Sequence, residues 1–165
     1  MTISDRMSAR IGLVLFLGVA TVGAQSRPVT PEPQTAPAEL VGRWALVAVI
    51  RDSRDVTLNG LTQGNSPAIY DFKRDGTFTI AIGDSVAETG TWSANAQVTP
   101  KIFDHIPNLP NGRRPRVPGI YEVGGGALKI CLLPASEADT HPTACEARGG
   151  DRSSMYILTR AEKQP

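Results

Sequence analysis

The chain has 165 residues, 41% hydrophobic, 20% charged and 5% aromatic, which is enough for one domain of ordinary size and short for two. Lys+Arg is 17 against Asp+Glu 16, which excludes a protein that holds nucleic acid or a membrane surface through bulk charge. Gly 16 and Pro 13 favour turns and short strands over long helices.

Residues 1–24 read as a secretory signal peptide. Arg6 and Arg10 form a positive n-region, and Ile11 to Gly23 is an uncharged apolar h-region, shorter than the roughly 20 residues of a transmembrane helix. Val22-Gly23-Ala24 offers small residues for cleavage after Ala24, and no Cys stands at that junction to carry a lipid. The alternative is an uncleaved N-terminal anchor. Cleavage removes two basic residues and one acidic residue, which leaves the mature chain formally neutral. The expected location is secreted or periplasmic. Gln25 to Ala38 then carries Pro28, Pro31, Pro33 and Pro37 and almost no bulky apolar side chain. Such a stretch buries too little surface to offset its ordering entropy, so residues 25–38 read as a disordered linker. Its other reading is a ligand for a proline-binding domain.

Residues 39–161 form the expected domain, and their dominant period is two. Trp44, Leu46, Ala48 and Ile50 alternate with Arg43, Ala45, Val47 and Val49, a strand apolar on both faces. Ile69 to Lys73 meets Phe78, Ile80 and Ile82 across Arg74-Asp75-Gly76, where Gly accepts the positive φ of a hairpin turn. Gly83-Asp84 makes the next turn and Val86 to Trp92 returns. Pro100 to Asp104 is a weaker strand, Gly119 to Val123 and Ala127 to Leu133 form a hairpin across three glycines, and Met155 to Arg160 closes the chain. About eight short strands in sequence order, with no convincing helix, predict an all-β, antiparallel up-and-down barrel. Closure removes the exposed edges of such a meander. A two-sheet sandwich is the alternative.

Several segments resemble a known family. Leu40-Val41-Gly42-Arg43-Trp44 is similar to the Gly-x-Trp opening of lipocalin-like barrels. The run Gly119-Ile120-Tyr121-Glu122-Val123-Gly124-Gly125-Gly126-Ala127-Leu128-Lys129-Ile130-Cys131 resembles the G-x-Y-E-x-x-G-x-x-L-K-I-C signature of an uncharacterised bacterial lipocalin-like family, the planctomycete-type domain. Pro100 to Asp104, Pro142-Thr143 and Tyr156 to Arg160 extend the likeness over residues 39–160. The chain departs from it at Cys145, where the family usually has an aromatic, and at the Arg113-Arg114-Pro115-Arg116 cluster. The resemblance implies a fold. It implies no reaction, because fold does not license function. It also implies that Arg160 lies over the indole of Trp44 and closes the base of the barrel, a contact of about 1 kcal/mol.

Cys131 and Cys145 are the two cysteines, and in an exported chain they are expected to pair. The alternatives are two unpaired thiols, or a zinc site of Asp139, His141, Cys145 and Cys131, which lacks the usual ligand spacing. His105 follows Asp104, but neighbours on a strand face opposite sides, so the pair does not read as catalytic. Arg113, Arg114 and Arg116 are candidates for contact with an anion or a partner protein, the other reading being solvated loop surface. No nucleophile elbow or phosphate loop occurs, and no cofactor is implied.

An eight-stranded barrel is wide enough for one small ligand. The expectation is an exported, non-enzymatic barrel binding a small apolar or amphipathic molecule, with Phe78, Ile80, Leu128 and Ile130 as candidate cavity residues. The alternative is a solid-cored module that docks an envelope protein. If a ligand is held, its entrance should lie opposite Trp44, near the Asp52–Pro67 and Pro134–Ser154 loops. The sequence fixes neither the oligomeric state nor the ligand.

Overall fold

The computed structural model describes residues 36–56, 62–63, 66–150 and 152–162. The expected signal peptide, its cleavage site and residues 25–35 of the linker lie outside these residues. Among the described residues ten strands are present: β1 (Gly42–Arg51), β2 (Arg54–Asp55), β3 (Thr62–Gln63), β4 (Ser66–Phe72), β5 (Thr77–Ile82), β6 (Ser85–Asn95), β7 (Ile102–Pro107), β8 (Val117–Gly124), β9 (Ala127–Leu132) and β10 (Ser154–Arg160). The two-residue strands β2 and β3 extend β1 and β4. The other eight close into an antiparallel barrel.

Closure comes from two pairings of β1. Trp44 stands opposite Arg160 on β10, and Gly42 stands opposite Phe72 on β4. Every other barrel pair joins strands that follow one another along the chain. The ring of pairings rules out the two-sheet sandwich and leaves no open edge among the eight strands. The strand at Pro100–Asp104 is displaced to Ile102–Pro107, after a cis Thr99–Pro100 bond.

The register defines two ends. At the base lie Gly42, the β4–β5 turn, the β8–β9 turn and Arg160. At the rim lie the β5–β6 turn and the β1–β4, β7–β8 and β9–β10 connections. The Arg113–Arg116 loop therefore joins the rim.

Two bulges decide which side chains face inward. In β1 the pairing slips between Leu46 and Ala48, so Val47 is pushed outward and is 54% exposed. Beyond the slip Val49 is buried, in place of the Ala48 and Ile50 that strict alternation from Trp44 predicts. In β6 the slip opposite Ile80 and Ala81 leaves Ala87 without a partner and sets Glu88 opposite Ile80. Val86 points out, 63% exposed, while Glu88 lines the interior and Ala87, itself exposed, borders the cavity.

A second layer covers the outside of β8 and β9. Ile120 and Cys131 are buried, although they alternate with the inward Tyr121 and Ile130. The long β9–β10 connection folds over them, and Cys131 is disulfide-bonded to Cys145 across a Cα–Cα distance of 5.2 Å. Ser53 N donates to Ala147 O at 2.8 Å, tying the β1 turn to the same flap.

Candidate ligand-binding cavity

The interior divides into a packed base and an open upper half. At the base Phe72 sits among Trp92, Phe103 and Phe78, with ring centroids 5.4, 5.7 and 6.5 Å away. Leu40, Trp44, Leu128 and Leu158 fill the rest, each at most 1% exposed. Such packing leaves no room for a ligand.

The chain before β1 seals this end. Leu40 N donates to Pro37 O at 3.0 Å, and Trp44 Nε1 donates to Leu40 O at 2.8 Å. The guanidinium of Arg160 lies 3.8 Å from the Trp44 ring centre and donates to Val41 O and Glu39 O. Gly42 is favoured by its φ of +119°, which side chains rarely adopt, and a Cβ there would displace Arg160 Nη1, 2.8 Å away, from its place over the indole. The Gly-x-Trp motif thus has a steric reason on this chain. Ala36 also packs against the core, so the ordered domain begins inside the stretch expected to be linker.

Glu39 completes the seal. Its Oε1 accepts from Lys101 Nζ and from the Tyr121 hydroxyl, both at 2.8 Å. The Lys101 and Tyr121 hydrogen bonds hold the Glu39 carboxyl below its ordinary value of 4.5, outweighing desolvation. A depressed folded value means that the ionised form stabilises the fold above about pH 4.5, and that this contribution fades as pH falls through the folded value. Glu39→Gln should therefore lower the melting temperature at pH 7 and lower it less at pH 3. Melting curves of both forms at the two pH values check this, and an equal gap at both would contradict it.

Above the aromatic layer the barrel holds a cavity of about 160 Å³. Tyr70, Phe72, Phe103 and Tyr156 supply aromatic walls, and Ile80, Ile82, Ile130 and Leu132 supply aliphatic ones. A dry cavity of about 150 Å³ accepts benzene, so this space suits one ring or a short branched chain. Ile80 and Ile130 line it. Phe78 and Leu128, expected beside them, lie one inward position nearer the base and belong to the packed half.

The polar groups of the cavity are few. His105 Nε2 and Glu88 Oε1 are 2.6 Å apart, and the imidazole leans on Phe78 with centroids 4.4 Å apart. Burial pushes the Tyr70 and Tyr156 phenols up, with Glu88 adding to both, so their hydroxyls stay protonated through the physiological range. Asp104, the neighbour of His105, faces the opposite side, as strand geometry requires. There it binds Arg116 Nη2 and His141 Nε2, at 2.9 and 3.0 Å.

The remaining sequence candidates disperse. Arg116 also donates to Ala138 O, Arg114 donates to Thr91 Oγ1, and Arg113 belongs to the turn closed by Leu109 N and Arg113 O. Two of the three guanidiniums thus hold separate parts of the protein. The zinc reading fails because the disulfide consumes both thiols and Asp104 occupies His141.

Glu88 escaped the sequence reading altogether. An acidic residue reads as solvent-facing by its chemistry, yet its parity with Trp92 and Ala94 places it on the inward face of β6.

No family model matches the chain, and neither the curated proteins nor the solved structures yield a match.

Proposed function

We propose that this protein is an exported, non-enzymatic carrier or receptor barrel that takes one small apolar or amphipathic molecule into its upper half. The observation that carries the reading is the cavity of about 160 Å³, walled by aromatic and aliphatic side chains and placed opposite the sealed base. Concave, mostly apolar pockets with a few polar groups are the usual form of small-molecule sites. The resemblance of Gly119–Cys131 to the planctomycete-type lipocalin-like domain supports the barrel fold that the reading requires and adds no ligand. The disulfide fits an oxidising compartment, and no helix among the described residues is long and apolar enough to cross a membrane. Export through a signal peptide cleaved after Ala24 belongs to the proposal, and the intact mass of the recovered protein tests it.

The functional test is to incubate the mature protein with a mixed lipid and metabolite extract and identify what co-purifies by mass spectrometry. A reproducible small molecule is expected, lost in Ile80→Trp, whose indole would fill the cavity, while the melting transition stays cooperative. Absence of any ligand would leave the alternative, a barrel that docks an envelope protein through its rim loops.

A further inference from the structure

We infer that the cavity selects a small cationic amphiphile, a protonated amine carried on a single ring or short apolar body. This rests on the cavity being a ligand site and adds the charge of the ligand.

The lining has one carboxylate, Glu88, and no lysine or arginine. Only Glu88 Oε1 is engaged by the protein among the described residues, through His105, so the second carboxylate oxygen is available to a donor. The side chain of Glu88 is 36% exposed, whereas His105 is 12% exposed, which puts the carboxylate on the solvent side of the imidazole. Tyr70 and Tyr156 flank the same region with ring centroids 6.4 Å apart and an interplanar angle of 60°. Aromatic faces attract a cation through their quadrupoles, and the attraction grows as water is excluded. Arg51, whose charge acts on the Tyr156 hydroxyl, donates to Ser154 Oγ at 3.0 Å and does not line the cavity. A cation therefore meets a carboxylate beside the Tyr70–Tyr156 ring pair, while its apolar body enters a space sized for benzene. An anion of the same shape would meet the Glu88 charge, with the His105 imidazole as the one basic side chain of the lining.

Three probes of nearly equal size separate the possibilities: 2-phenylethylamine, 2-phenylethanol and phenylacetate, titrated calorimetrically into the mature protein in low-salt buffer. The amine should bind about tenfold more tightly than the alcohol, and phenylacetate should bind weakest. Glu88→Gln, close in shape, should remove most of the preference for the amine and leave alcohol binding in place. Equal binding of amine and alcohol, or a preference for phenylacetate, would overturn the charge selection while sparing the cavity. Failure of all three probes to bind would overturn both. The probe ranking needs no variant, so it stands whether or not Glu88→Gln folds.

Discussion

Trp44→Ala should cost about 3–5 kcal/mol of folding stability, the range for removing a large aromatic from a packed core. The indole is 1% exposed and joins the chain before β1 to the end of β10. Its Nε1 satisfies the Leu40 carbonyl, its face carries Arg160, and its ring packs with Leu40. Truncation leaves a void, an orphaned carbonyl and a guanidinium without its ring. For a domain of this size the loss corresponds to a fall in melting temperature of roughly 10–20 °C. Trp44→Phe should lose less, since it keeps a ring under Arg160 and forfeits only the Nε1 donor and some volume. Thermal unfolding followed by circular dichroism measures both. A loss below about 1 kcal/mol for the alanine variant would mean that the base is not closed by this residue.

Opening the disulfide should rank next. The bond closes a loop with a sequence separation of 14, and a loop of that size is worth about 3 kcal/mol on the chain-entropy model. The variant of choice is Cys145→Ala, because Cys131 is fully buried on the outer face of β9 and its removal would add a cavity cost. A fall of about 10 °C is expected, together with faster proteolysis within residues 134–150, since the flap loses its pin. An unchanged melting temperature and unchanged cleavage would contradict the role given to the bond. Urea denaturation at constant m value would confirm that the effect is on stability rather than on the compactness of the unfolded chain.

The barrel was legible because its strands announce themselves twice, by period and by turn. Asp75-Gly76 and Gly124 to Gly126 mark hairpins whose glycines at 76, 125 and 126 do adopt positive φ. Eight successive segments then leave closure as the way to satisfy two edges. The interior was harder. Strict alternation from Trp44 places Ala48 and Ile50 inside, and strict alternation from Trp92 places Val86 inside with Glu88; a single bulge in each strand buries Val49 instead and turns Val86 out. Bulges depend on the partner strand, so no local pattern in β1 or β6 reveals them. The same limit explains Phe78 and Leu128, which face inward as expected but at a level where the Phe72 cluster already fills the barrel. The cysteine pairing was legible from the expected compartment and from the count of two. The partnership of Asp104, Arg116 and His141 was not, because it joins three segments that meet only after the flap has folded over the barrel wall.

In the proposed function the upper half of the barrel admits a ligand and the packed lower half does not. Methyl-labelled NMR with added benzene tests it most directly. Shifts are expected at Ile80, Ile82, Ile130 and Leu132, which line the cavity, with Leu40, Leu128 and Leu158 at the base unmoved. No shift at any methyl, or shifts spread equally over base and rim, would contradict the account.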